Sequence, residues 1–283
     1  MKINGIDVFA NGSKVCGFDL VTRSALNPYV LKASTGLDAD NIIPRFYGAG
    51  LVSNTKYYDL ALEPREIVLR IGLDPNYVLG IAPADLRDDI YRAVAASRDG
   101  LLQLRFLIDG VPYTQIKGFV TKLEAPHFNR EPEVQITMLC DPSMITGMEP
   151  TEVIVDDLDL ILPVINDPLS TAPHGFKFSM SMADGTWGES FPFTIKDAVT
   201  PDWQFRLTYA FQDDDVLYFS SEMGNKYIYV VRDAEEIPIM DTLITGSVWP
   251  IIFPGVNEFI LSNVDPDNMD WIDMSYTETH WGI

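Results

Sequence analysis

Only two cysteines, Cys16 and Cys140, occur in 283 residues, so at most one disulfide can form and a disulfide scaffold is excluded. Histidine is almost as scarce. His127, His174 and His280 stand far apart, in no His-x-x-x-His or His-Glu-x-x-His setting, and that is too few ligands for a zinc site. No apolar run approaches the roughly 18 residues of a membrane-spanning helix. The opening MKINGIDVFANGSK lacks the apolar stretch of a signal peptide, which points to folding in a cytoplasm. No Gly-x-Ser-x-Gly elbow and no Walker phosphate loop occurs. Gly48-Ala49-Gly50 lacks the third glycine of a dinucleotide fingerprint. Positive charge is also short. The 20 Lys and Arg face 41 Asp and Glu, a net of −21, and a nucleic-acid binder would need a basic face.

What is present is a globular composition, with 47% hydrophobic and 22% charged residues, outside the range of disordered chains. The acid is unevenly spread. Residues 1–150 hold 15 Lys and Arg against 18 Asp and Glu, a net of −3, whereas residues 151–283 hold 5 against 23, a net of −18. A shift of that size predicts two domains, 1–150 and 151–283. The near-neutral first half suits contact with other copies or subunits, and the acidic second half repels itself and stays solvated.

The first half mixes strands with one helix. Ile67, Leu69, Ile71 and Leu73 alternate as in a strand. Leu86, Ile90 and Val94 recur every four residues, which predicts a helix over about 83–97. Pro83 is tolerated in its first turn, and Asp85, Asp88 and Asp89 sit where the macrodipole favours anions. A hairpin over about 101–123 follows, with Leu102, Leu104, Phe106 and Ile108 on one face and Asp109-Gly110 as its turn. This helix-plus-hairpin unit reads either as a projecting arm and edge for pairing with a neighbour, with Gln103, Arg105 and Lys117 on the outer face as candidate interface residues, or as an ordinary core hairpin, since half its residues must face a core in both cases. Val134, Ile136, Met138 and Cys140 form a further strand face, so Cys140 reads as a buried thiol.

The second half is all strands and turns. Runs at 176–182, 191–195, 203–211, 216–220, 226–232, 256–262 and 271–276 point to a sandwich or jelly-roll-like domain, and the chain as a whole to a mostly β fold. Its carboxylates are too frequent for any one pair to signal acid/base catalysis. Asp265–Asp270 begins like a calcium loop but lacks the required glycine and glutamate. Looser calcium sites would draw on Asp156, Asp157 and Asp159, or on Asp213, Asp214 and Asp215. Trp187, in the turn Asp184-Gly185-Thr186-Trp187-Gly188, is the candidate for stacking on a sugar ring, while Trp203 and Trp271 read as core. No enzyme, cofactor or metal is expected.

In element order the chain resembles the distal tail (Dit) proteins of long-tailed bacteriophages. The resemblance is carried by the strand EIVLRIGL, the helix, the LLQLRFLIDG–VPYTQIKGFVTKLEA hairpin and EVQITMLCDPSM, then by Asp213–Phe219, Asn225–Ile228, Phe253-Pro254-Gly255-Val256-Asn257 and the aromatic close Trp271–Trp281. It implies an α+β N-terminal belt domain that joins with copies of itself, as a homo-hexamer, and a C-terminal galectin-like β-sandwich. It also implies a virion protein of the tail tip, assembled in the host cytoplasm. Its ring would sit at the distal end of the tail tube, bound to the tube protein and to tail-tip, tail-fibre or receptor-binding proteins. The alternative reading is a carbohydrate- or receptor-binding protein that uses the second domain directly.

Overall fold

The computed structural model describes residues 3–21, 27–38, 42–47, 56–75, 81–96, 101–126, 131–141, 144–153, 165–182, 193–198, 204–212, 214–262 and 269–282. They are mostly strand, with a single α-helix among them. Two compact units are present: residues 1–148 with His280–Ile283, and Glu149–Thr279.

The first unit contains β1 (Gly5–Ala10), β2 (Ser13–Asp19), β3 (Tyr29–Thr35), β4 (Ile42–Tyr47), β5 (Lys56–Leu62), β6 (Arg65–Leu73), α1 (Pro83–Ala96), β7 (Leu101–Ile108), β8 (Val111–Glu124), β9 (Glu133–Cys140) and β10 (Ile145–Gly147). Its main sheet runs β2-β1-β7-β8-β9-β6-β3, with β10 added along β8, while β4 and β5 pair as a separate two-stranded sheet. The main sheet curls until its end strands β2 and β3 approach each other, and the Asn27 amide donates to the Gly17 carbonyl at 2.6 Å across that seam.

Helix α1 packs against β1, β2 and β6. It starts on a half capping box, in which the Asp85 carboxylate accepts from the Ala82 N–H at 3.1 Å. Leu86 and Ile90 enter a core with Ile6, Val8, Ile67, Leu69, Leu104, Phe106 and Ile136. The period-two residues of β7 and β9 therefore face inward because the helix closes one side of a curled sheet.

The hairpin of β7 and β8 turns at Asp109 and Gly110, both at positive φ, as a two-residue connection requires. It is not a projecting arm. Strand β7 is paired along its length by β1 and β8, and β8 is paired in turn by β9 and β10. The expectation of a free edge there is corrected: the hairpin lies in the middle of the sheet, because β1 adds to β7 and closes its outer side.

Gly36, at φ +82°, lies so close to β6 that an added Cβ would meet the Glu66 carbonyl oxygen at 1.9 Å. Gly36→Ala is expected to cost about 3 kcal/mol, from left-handed strain plus the clash, read as a lower denaturant midpoint by far-UV circular dichroism.

Both cysteines are buried free thiols. Burial pushes the Cys16 thiol from 9.0 up to about 12, with the Asp7 charge adding to the shift. Above pH 9 the unfolded chain ionises this thiol while the folded chain keeps its proton, so stability falls as pH rises, by about 1.4 kcal/mol per pH unit. Stability curves between pH 9 and 11 should show that extra slope in the wild type and lose it in Cys16→Ala.

The second unit contains β11 (Thr151–Val153), β12 (Ile165–Asp167), β13 (Phe176–Met182), β14 (Phe193–Asp197), β15 (Gln204–Leu207), β16 (Val216–Ser220), β17 (Tyr227–Arg232), β18 (Glu235–Pro238), β19 (Gly255–Asn257), β20 (Phe259–Ser262) and β21 (Met269–Tyr276). A six-stranded sheet, β11-β21-β13-β16-β17-β18, is joined by a three-stranded sheet, β15-β14-β20, and the pair β12-β19. The sheets share one phenylalanine-rich core, with Phe176 and Phe259 rings 5.1 Å apart and Phe205 and Phe219 rings 5.0 Å apart.

The run expected as one strand over 256–262 is two. β19 pairs β12, and β20 pairs β14, so the chain switches partners at Glu258. The run expected over 203–211 leaves its ladder after Leu207, and the Thr208 N–H donates instead to the Thr242 carbonyl.

The last short strand, β22 (Thr279–His280), lies at the division between the units, and His280–Ile283 belongs to the first. Arg65, only 3% exposed, donates from its guanidinium to the Trp281 carbonyl. A buried cation needs such an acceptor, and the returning chain end supplies it. The other division falls at Met148 and Glu149, and the return of residues 280–283 to the first unit has no sign in the charge pattern.

Candidate functional site

Alternation along the strands of the first sheet leaves a second face turned from the core. Its residues on β7 and β8 include Gln103, Arg105, Gln115 and Lys117, between the buried Leu104, Phe106, Thr114 and Ile116. The three candidate interface residues come together here. Gln103 and Lys117 are cross-strand partners, and Arg105 lies opposite both Gln115 and Asp7.

Their polar groups interlock. The Gln103 amide donates to the Gln115 side-chain oxygen, Arg105 donates to the Gln103 oxygen at 3.3 Å, and Gln115 donates to the Gly147 carbonyl at 3.3 Å. The Arg105 guanidinium also lies 4.0 Å from the centre of the Phe9 ring, a cation–π contact. Beside it Lys14 pairs with Asp7 at 2.6 Å. Lys117 is exposed. The network fixes the positions of Gln103, Arg105 and Gln115 on this face.

One feature of this face went unread in the sequence. Leu101, Phe119 and Leu139 are aligned across β7, β8 and β9, and Phe119 is 50% and Leu139 38% exposed. The available signal was parity: Leu139 shares its strand face with Glu133, Gln135 and Thr137, so an apolar residue stands on a polar face.

The other candidates lie elsewhere. Trp187, Trp203, His127, Asp156, Asp157, Asp159, Asp213 and Gly48-Ala49-Gly50 fall outside the described residues. Of the looser calcium candidates, Asp215 is already engaged inside the protein. Asp215 is fully buried and accepts from Arg232 Nε and Nη2, both at 2.7 Å, and from the Gln212 N–H at 2.8 Å. Both its oxygens already serve an internal cation, so the carboxylate is structural. Asp215 in turn raises the Arg232 pKa, chiefly through these hydrogen bonds.

His174 and Asp167 are both buried, with Nε2 and Oδ2 3.5 Å apart, and the His174 Nδ1 lies 3.4 Å from the Ala172 carbonyl. His280 lies near Tyr113, ring centres 6.3 Å apart. Among the described residues no three His, Cys, Asp or Glu side chains gather as metal ligands, and no helix is long and apolar enough to cross a membrane.

No protein-family model and no curated protein sequence matches the chain. Solved structures do. The chain is similar to the Dit protein of phage SPP1, described as a paradigm of the hub adsorption apparatus in phages that infect Gram-positive bacteria. The TM-score is 0.61 at 12% identity, over 97% of this chain and 98% of that one. Chains of the phage p2 baseplate in its activated conformation, one with strontium and one with calcium, align with a TM-score of 0.44 at 6% identity, over 97% of each chain. The likeness to the SPP1 protein thus runs over almost the whole length of both chains. The chain has the fold of a phage distal tail hub protein.

Proposed function

We propose that the chain is a structural subunit of a phage tail tip, in which copies join through the first unit as a ring at the distal end of the tail tube and carry the tip or receptor-binding apparatus. The observation that carries this reading is the end-to-end likeness to SPP1 Dit, with a TM-score of 0.61 over 97% of this chain and 98% of that one. Charge supports it. A first half at −3 can meet its own copies with little repulsion, and a second half at −18 is kept apart from its neighbours.

The face of Gln103, Arg105 and Lys117 is offered to those neighbours, with Gln103 and Arg105 held beforehand by hydrogen bonds, so little of their side-chain freedom is lost on contact. The role is architectural, without a reaction, cofactor or nucleic acid. The protein would be assembled in the host cytoplasm and carried in the virion.

Light scattering and negative-stain imaging test the reading, with the chain alone and with tail-tube protein. Annular particles are expected, and six copies of 31.7 kDa weigh about 190 kDa. A strict monomer under both conditions, at every concentration and salt, would overturn it.

A further inference from the structure

Asp167 and His174 are both buried in the second unit. Their backbones are tied to the same later segment of chain. Asp167 is the register partner of Gly255, and His174 exchanges backbone hydrogen bonds with Ile252 at 3.0 and 2.8 Å. The side chains therefore meet at a held distance, with His174 Nε2 lying 3.5 Å from Asp167 Oδ2. Oδ1 already accepts from the Ser170 N–H at 3.1 Å, and among the described residues no hydrogen bond reaches Oδ2.

The other ring nitrogen, Nδ1, faces the Ala172 carbonyl at 3.4 Å, so both nitrogens of one imidazole look at acceptors. A neutral imidazole has one N–H. Beside an ionised carboxylate, one of the two contacts would then set lone pair against lone pair. One added proton, on Nε2 or on Oδ2, gives each contact a donor and leaves no unbalanced charge in a buried site. Tyr276 is the other titratable side chain packed here, its ring centre 5.4 Å from that of His174. Burial first, then the charges of Asp167 and Glu278, raise its pKa, so it stays a neutral phenol where imidazoles titrate. The Glu278 carboxylate adds to the negative field that favours the proton.

The loop between Asp167 and His174 holds the end of the second unit. The Thr171 and Ala172 N–H groups donate to the Thr279 carbonyl at 3.0 and 3.2 Å. In return the Thr279 N–H donates to Ser170 Oγ at 3.0 Å, and the Thr279 hydroxyl to the Ala172 carbonyl at 2.9 Å. Thr279 is the last residue of this unit before the chain passes to the first. Ser170 and Ala172 thus each contact both Thr279 and one member of the buried pair. We infer that the Asp167–His174 pair holds one shared proton and acts as the pH-sensitive catch of this clasp, gripping Thr279 when the proton is bound and slackening when it is lost. The catch is fully closed below the pH at which an unfolded histidine titrates, about 6.5, and opens as pH rises through the midpoint of the pair in the folded chain. It works within one copy and does not depend on ring formation.

The test follows deuterium exchange in the full chain against pH by peptide mass spectrometry. Exchange of the imidazole Cε1 hydrogen gives the midpoint of His174, and amide exchange on the same samples reports on Thr279. In the folded wild type His174 should titrate roughly one pH unit or more above its value in the urea-unfolded chain. Across that midpoint the protection of the Thr279 amide, corrected for intrinsic rate, should fall about tenfold. Asp167→Asn offers an amide N–H to Nε2 at every pH, so the His174 midpoint should drop by roughly one unit and Thr279 protection should become flat. His174→Gln donates to Oδ2 without titrating, should flatten Thr279 protection as well, and serves if Asp167→Asn misfolds. A wild-type His174 midpoint at or below the unfolded value overturns the inference. So does Thr279 protection that ignores that midpoint, or that keeps its pH dependence in a folded variant.

Discussion

Phe219→Ala is expected to lower the stability of the second unit by about 3–5 kcal/mol, the range for emptying an aromatic site in a close-packed core. Phe219 is fully buried, and its ring centre lies 4.9 Å from Phe178, 5.0 Å from Phe205, 5.3 Å from Trp249 and 5.8 Å from Phe176. It therefore bridges the six-stranded sheet, through β13 and β16, to the opposed β15. Truncation removes packing from both sheets, and neighbouring rings held by their own strands cannot collapse fully into the space.

Trp187, Trp203, Trp249 and Trp271 lie between Glu149 and Thr279, and only Trp281 belongs to the first unit. Tryptophan fluorescence thus reports chiefly on the unit being tested. A denaturant midpoint within about 1 kcal/mol of the wild type would mean that the core repacks and that the ring cluster is not what holds the sheets together.

Asp215→Ala is expected to cost about 3 kcal/mol, the lower end of the range for breaking a buried ion pair. The carboxylate is wholly buried, while the Arg232 side chain keeps 25% exposure and can recover some hydration. The loss extends beyond the pair. The Gln212 N–H would lose its acceptor, and Arg232, which also donates to the Tyr209 hydroxyl at 3.2 Å, would lose the anchor that sets its position.

Asp215→Leu combined with Arg232→Met should recover much of that stability, because an apolar pair of similar volume removes both desolvation costs. Urea denaturation of the three variants checks this. If the double variant is no more stable than Asp215→Ala, the pair contributes geometry that packing cannot replace.

The candidate site was legible in part. Gln103, Arg105 and Lys117 could be placed on one face because parity along a strand is local, and the Asp109-Gly110 turn sets the register of β7 against β8. That this face lies in the middle of a sheet was not legible. It depends on β1, roughly a hundred residues earlier, adding to β7. The row of Leu101, Phe119 and Leu139 was hidden for the same reason: its residues are distant in sequence and become neighbours only through the pairing of β7 with β8 and of β8 with β9.

The acidic turn shows the opposite error. Asp213, Asp214 and Asp215 look alike in sequence, yet Asp215 is turned inward onto Arg232, a partner 17 residues away. A run of carboxylates predicts charge density and leaves open which carboxylate is already occupied.

Local patterns were enough for the helix near 83–97, found at Pro83–Ala96, for the inward faces of β6, β7 and β9, and for a second half made of strands. Each depends on periodicity or turn chemistry within a few residues, where backbone geometry alone decides which side chains share a face. The partners of those strands were decided by tertiary structure: the transfer at Glu258 from one pairing to another, the central place of the 101–123 hairpin, and the return of residues 280–283 to Arg65. Strand pairing and burial couple residues far apart in sequence, and their free energy depends on which surfaces remain to be covered once the nearer pairings have formed.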